Sequence, residues 1–211
     1  MNERSEMLEG IRRAIGSRGS DRESDYASIR RGYHQALPID LPECVHLFVD
    51  RLHDYDATVH FCPVEGIAAT VAAVLSGRRK HSLLVPPQLP PDWMPSNFEF
   101  IRDTGLSYGH IDRSEGVLTG CAIAIAATGT IVLRHSAGEG RRALTLIPDY
   151  HLCVVFEHQI VGTVPEGIRL MSEFGRAPIT TISGPSATAD IEMTRIKGVH
   201  GPRTLDVILV A

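Results

Sequence analysis

The sequence predicts an α/β domain with parallel strand pairing, on three observations. Helical and strand-like patterns alternate through the first half. Short β-branched and small-apolar runs fill the second half, separated by glycine-bearing loops. A chain of 211 residues, 43% hydrophobic and 22% charged, has the usual makeup of one globular domain with a real core.

Taken in order, Leu8, Ile11 and Ile15 share one helix face. Residues 17 to 34 are polar without an apolar period and read as a mobile arm. The expected organisation is therefore an N-terminal helix and arm over 1–34 and one α/β domain over 35–211. Pro38 and Pro42 open a helix with Leu41, Val45, Phe48 and Leu52 on its core face. Strands over 57–62 and 82–85 flank a helix bearing Ile67, Val71, Val74 and Leu75. Prolines at 86, 87, 90, 91 and 95 exclude a helix or central strand there. A short strand is expected at 98–101.

Beyond Val117, Cys121–Ala126 and Thr128–Leu133 predict two strands turning at 127–129. Strands are expected at 144–147, 152–156, 179–182 and 204–210. Helices are expected around Val164, Ile168 and Met171, and from about Thr188 to Lys197.

Composition excludes several classes. A net charge of −4 with scattered basic pairs gives no footprint for nucleic acid. No segment approaches the roughly 18 apolar residues of a membrane span. The polar, acidic start lacks a signal-peptide core, so a cytoplasmic location is expected. Cys44, Cys62, Cys121 and Cys153 form no CxxC pair. They read as buried free thiols, and no metal or cofactor is expected on this chain.

Three loops carry the candidate chemistry. Open α/β sheets bind ligands beyond the carboxyl ends of their strands, which favours loops that follow strands. In the first loop, Gly129 lets the backbone approach a ligand and Thr128 and Thr130 offer hydroxyls. The second, Ser183-Gly184-Pro185-Ser186-Ala187-Thr188, leads into the expected helix. Its free N–H groups suit an anion, and Ser186 or Thr188 can cap it. Asp190 and Glu192 follow as helix-start acids or general bases. The third places His200 and Arg203 beside Gly198 and Gly201, pairing a proton shuttle with a bidentate anion clamp. Arg141 and Arg142 are further clamps or plain surface charge. Asp190, Glu192 and His200 are thus the acid–base candidates.

Four runs in this order resemble the LUD domain of lactate-utilization proteins: Gly116–Leu133, Arg141–Asp149, Ile182–Glu192 and Gly198–Arg203. The short chain without cysteine motifs is similar to the C component, not to the iron–sulfur B component. The resemblance implies a Rossmann-like α/β/α sandwich like the sugar-phosphate isomerase and coenzyme A transferase fold. It also implies a part in oxidising L-lactate to pyruvate, with iron–sulfur clusters in partner subunits. Family members commonly carry glutamate where this chain has Ala127, and a polar or basic residue at Ala187.

The expected role is an accessory or ligand-binding subunit taking a small carboxylate or phosphorylated ligand. The alternative is a stand-alone isomerase, transferase or hydrolase acting on such a metabolite.

Overall fold

In the computed structural model, residues 3–15, 22–188, 196–197 and 200–211 are described. The chain divides into two compact units, Met1–His34 and Gln35–Ala211. The first holds α1 (Glu3–Ile15) and α2 (Arg22–Ser28). On α1, Leu8, Ile11 and Ile15 are all exposed. α2 lies inside the stretch expected to be loop. Residues 22–28 contain neither glycine nor proline, so nothing in them opposes a short helix.

The second unit opens with α3 (Leu41–Asp54). Asp40 caps it, accepting from the Glu43 N–H at 3.0 Å, and Pro42 suits its first turn. Phe48 and Leu52 are fully buried on its inner face. There follow β1 (Thr58–Cys62), α4 (Ile67–Gly77), β2 (Ser82–Val85), β3 (Glu99–Arg102), α5 (Tyr108–Asp112) and β4 (Val117–Thr119). β5 (Ile123–Ile125) and β6 (Thr130–Leu133) form the expected hairpin, its turn closed by Gly129. β7 (Tyr150–Phe156), β8 (Ile160–Val161), α6 (Val164–Ser172) and β9 (Thr180–Ile182) come next. β10 (Ala187–Thr188), β11 (Ile196–Lys197) and β12 (Thr204–Val210) complete the chain.

Six strands make a parallel sheet in the order β1-β12-β7-β4-β2-β3. Its centre, β7 and β12, is buried on both faces, which is why both strands read as near-continuous apolar runs. One face packs on α3 and a second, four-stranded sheet in the order β8-β5-β6-β9. Phe48, Leu52, Ile131, Cys153 and Val207 meet there. The other face packs on α4 through Val71, Leu75, Leu118, Leu152 and Ile208. The architecture is an α/β Rossmann-like sandwich. Among the described residues no helix is long and apolar enough to cross a membrane.

Two expected elements differ. Residues 144–147 are not a strand: Arg142–Thr145 is a 3-10 turn. Leu144 and Ile147 pack into the same small cluster, an i, i+3 relation that a turn satisfies and a strand does not. The helix expected over 188–197 is not formed at its ends. There β10 and β11 pair antiparallel, Ala187 with Lys197 and Thr188 with Ile196, as β-branched Thr and Ile favour.

A buried charge cluster ties the sheet to α4. Asp206 on β12 has no exposure and accepts from both Arg78 Nε, at 2.8 Å, and Arg78 Nη2. The Tyr150 hydroxyl donates to the same carboxylate at 2.9 Å. Burial, then the charge and hydrogen bond of Asp206, push the Tyr150 phenol far above its ordinary range.

Candidate functional site

A cleft of about 220 Å³ lies where three loops converge. Its lining includes Arg142, Ser183, Gly184, Ser186, His200 and Gly201, all candidates from the sequence. Thr145, His151, Thr180 and Leu205 add walls that local motifs did not indicate. The cleft sits at the amino ends of β7 and β12, reached by residues 142–145 and 200–202. Only β9 presents its carboxyl end, through Ser183. The carboxyl-end rule therefore does not describe this site.

The loops are pinned to one another. Ser186 N–H donates to Pro202 O at 2.8 Å, and the Ser186 hydroxyl accepts from His200 N–H at 3.0 Å. Gly184 adopts φ +83°, and a Cβ there would stand 2.4 Å from the Tyr55 Cβ. Glycine is needed because the loop lies directly on the end of α3. His135 Nε2 meets the Thr180 hydroxyl at 2.7 Å, and Nδ1 meets Gly140 O at 2.9 Å, bracing β9 from behind.

Thr128 and Thr130 work at one remove. The Thr128 and Thr130 hydroxyls are 2.7 Å apart, and Thr130 reaches the Ser183 hydroxyl at 2.8 Å. This chain of hydroxyls positions Ser183 in the cleft wall, while neither threonine lines the cleft. Gly129 has φ +56°, and its absent Cβ leaves room for Arg51 of α3, not for a ligand. Ala127 sits in the same turn, outside the lining.

The basic candidates separate clearly. Arg141 is taken by buried Asp103 at 2.7 Å. Arg203 is taken by Asp149 at 3.0 Å, with both side chains exposed, and does not line the cleft. Arg142 is different. Its Nη1 donates to Thr145 O at 3.0 Å, and no carboxylate among the described residues pairs with it. Burial alone pushes the guanidinium below its ordinary pKa. It remains a cation, half-buried and facing the cleft.

Asp190, Glu192 and Gly198 lie outside the described residues, and Thr188 falls in β10. The anion site expected at a helix start is not formed at Thr188, which ends β10 and pairs with Ile196. The positive charge of the described cleft comes from Arg142. The four cysteines are buried and free. Among the described residues no group of three or more His, Cys, Asp or Glu is placed to hold a metal.

A second polar chain runs inward from His151 in the cleft wall. His151 Nε2 is 2.8 Å from the Thr119 hydroxyl, which donates to Cys153 Sγ at 3.8 Å. The parallel register that sets Thr119 beside Cys153 and Val117 beside His151 makes these contacts. The Cys121–Cys153 hydrogen bond, then burial, push the Cys121 thiol up. The same hydrogen bond pushes the Cys153 thiol down against burial, with His151 and Thr119 acting in the same direction.

The sequence of this second unit is widely shared. A LUD domain family model matches residues 108–210, which hold every described lining residue of the cleft. A lactate utilization protein C from Deinococcus radiodurans is 44% identical over 97% of this chain and 94% of its own length. This chain belongs to the LUD domain family. A lactate utilization protein C from Shouchella clausii is 35% identical over 52% of this chain and 49% of its own length. The crystal structure of a DUF162 family protein from D. radiodurans superposes with a TM-score of 0.72 at 41% identity. It covers 82% of this chain and 100% of that one.

Proposed function

We propose that this chain is a ligand-binding component of lactate utilization whose cleft takes a small carboxylate. Arg142 carries this reading: a half-buried guanidinium, without an acid partner among the described residues, lines the cleft. Its planar fork matches a carboxylate bidentately, and partial burial reduces screening of that attraction. Ser183 and Ser186 add neutral hydroxyls to the lining, and His200 in the lining is exposed.

The names of the relatives supply the metabolic context. L-lactate and pyruvate are the carboxylates of that context, and both are small enough for the cleft. Oxidation of lactate releases two electrons and two protons. In this reading, partner iron–sulfur subunits receive the electrons, and this chain holds the organic acid.

The test is titration calorimetry with L-lactate and pyruvate on the full chain and on Arg142→Gln. A charge-assisted pair of this kind contributes about 1.5–3 kcal/mol. The variant should therefore lose about 10- to 100-fold in affinity. Unchanged affinity in Arg142→Gln sinks the cleft reading. Rapid lactate oxidation by the purified chain alone, without partners, sinks the accessory role.

A further inference from the structure

We propose that His151 gives the cleft a hydrogen-bond acceptor that selects a 2-hydroxy carboxylate over the matching 2-oxo acid. This rests on the reading of the cleft as a carboxylate site. His151 is 1% exposed and lines the cleft beside Thr145 and Leu205. Its tautomer follows from its neighbours. A hydroxyl has one proton, and Thr119 directs it at Cys153 Sγ. With that proton aimed at Cys153, the Thr119 oxygen is left to accept, and we place the His151 proton on Nε2. Nδ1 is left as a bare acceptor.

That nitrogen is buried and has no hydrogen-bond partner among the described residues. A buried acceptor without a donor is costly, and a ligand that supplies the donor recovers the loss. His151 lines the cleft, so a ligand seated against its ring is the source of a donor for Nδ1. Arg142 and His151 line the same cleft, so an acid whose carboxylate sits on Arg142 can offer its 2-substituent to His151. A 2-hydroxyl can donate to Nδ1. A 2-oxo group offers only lone pairs and faces another lone pair. Sites built around a ligand hydroxyl reject analogues lacking it.

The experiment measures affinity for L-lactate, pyruvate and propionate in the wild-type chain, His151→Phe, Thr119→Val and Arg142→Gln. Nitrogen-15 chemical shifts of His151 are read alongside. The wild type should bind lactate at least about tenfold better than pyruvate, with Nδ1 unprotonated. His151→Phe should level the three affinities. Thr119→Val keeps the buried volume but removes the acceptor for Nε2–H. The ring can then carry its proton on Nδ1, and the preference should shrink or reverse toward pyruvate.

Arg142-dependent binding without lactate preference overturns the His151 proposal and leaves the cleft reading standing. So does a wild-type shift showing Nδ1 protonated. Binding indifferent to Arg142 overturns the cleft reading first, and the His151 proposal falls with it.

Discussion

Gly184→Ala tests how tightly the cleft loop is fixed to the fold. The native φ is +83°, a region where an L side chain is strained by about 1–2 kcal/mol. The new methyl would also stand 2.4 Å from Tyr55 Cβ and 2.9 Å from Tyr55 Cγ. Tyr55 Cβ is fixed to the backbone at the end of α3, so the clash is not relieved by swinging a flexible tip. Overpacking of this kind adds about 1–3 kcal/mol. The sum is about 2–5 kcal/mol. Gly175→Ala is the matched control: its φ is +64°, yet nothing lies within 4 Å of an added Cβ. It should lose only the conformational part. Urea denaturation of both variants gives the two losses from midpoint and slope. Lactate affinity should also fall in Gly184→Ala, because Ser183 and Ser186 flank the displaced residue. Equal losses in the two variants would refute the packing argument.

Asp206→Ala should destabilise the chain by about 2–4 kcal/mol in the same assay. It strands the Tyr150 hydroxyl and unpairs Arg78, though Arg78 is 38% exposed and regains water, which keeps the loss below that of a fully buried pair. A loss under about 1 kcal/mol would show that this cluster contributes little. The acid limb of stability should depend on Asp103. Burial raises its carboxyl, but the Arg141 hydrogen bond and the N–H groups of Leu106 and Gly105 outweigh that and hold it below its ordinary value. A depressed folded pKa stabilises fully above the unfolded value of about 3.9, and the benefit is lost as pH falls through the folded value. The stability gap between wild type and Asp103→Asn should therefore narrow as pH drops from about 6 towards 3. A constant gap would count against the pairing.

What the sequence made legible follows from the range of the interactions. α3, α4, β1, β2, β7 and β12 were readable because each repeats its own period against one large core. Leu144–Ile147 reads as a strand because three apolar residues and a threonine fit a strand or a turn equally until their partners are known. The ends of the stretch from Thr188 to Lys197 do not read as strands because their pairing joins residues eight to ten positions apart. Arg141 and Arg142 are indistinguishable as neighbours in sequence. Asp103, 38 residues before Arg141, separates them. His151 stood at the edge of a recognised strand, and its significance needs Thr119 from another strand.

The Thr-Gly-Thr run has a different part in the fold from the one its sequence suggests. As sequence it looked like a ligand loop, with a missing carboxylate at Ala127 as its defect. In the fold, Gly129 accommodates α3, and the two threonines pass a line of hydrogen bonds to Ser183. The run holds one wall of the cleft and touches its contents only through that serine. A carboxylate lost beside it need not remove a group from the cleft, whose lining holds His151 and Arg142 but not Ala127. The polarity of the cleft is thus set by the parallel sheet and the turn before β7. The hairpin sets its shape. Substitutions in the hairpin should accordingly act on affinity through Ser183 and on stability through α3, leaving the choice between hydroxy and oxo acids to His151.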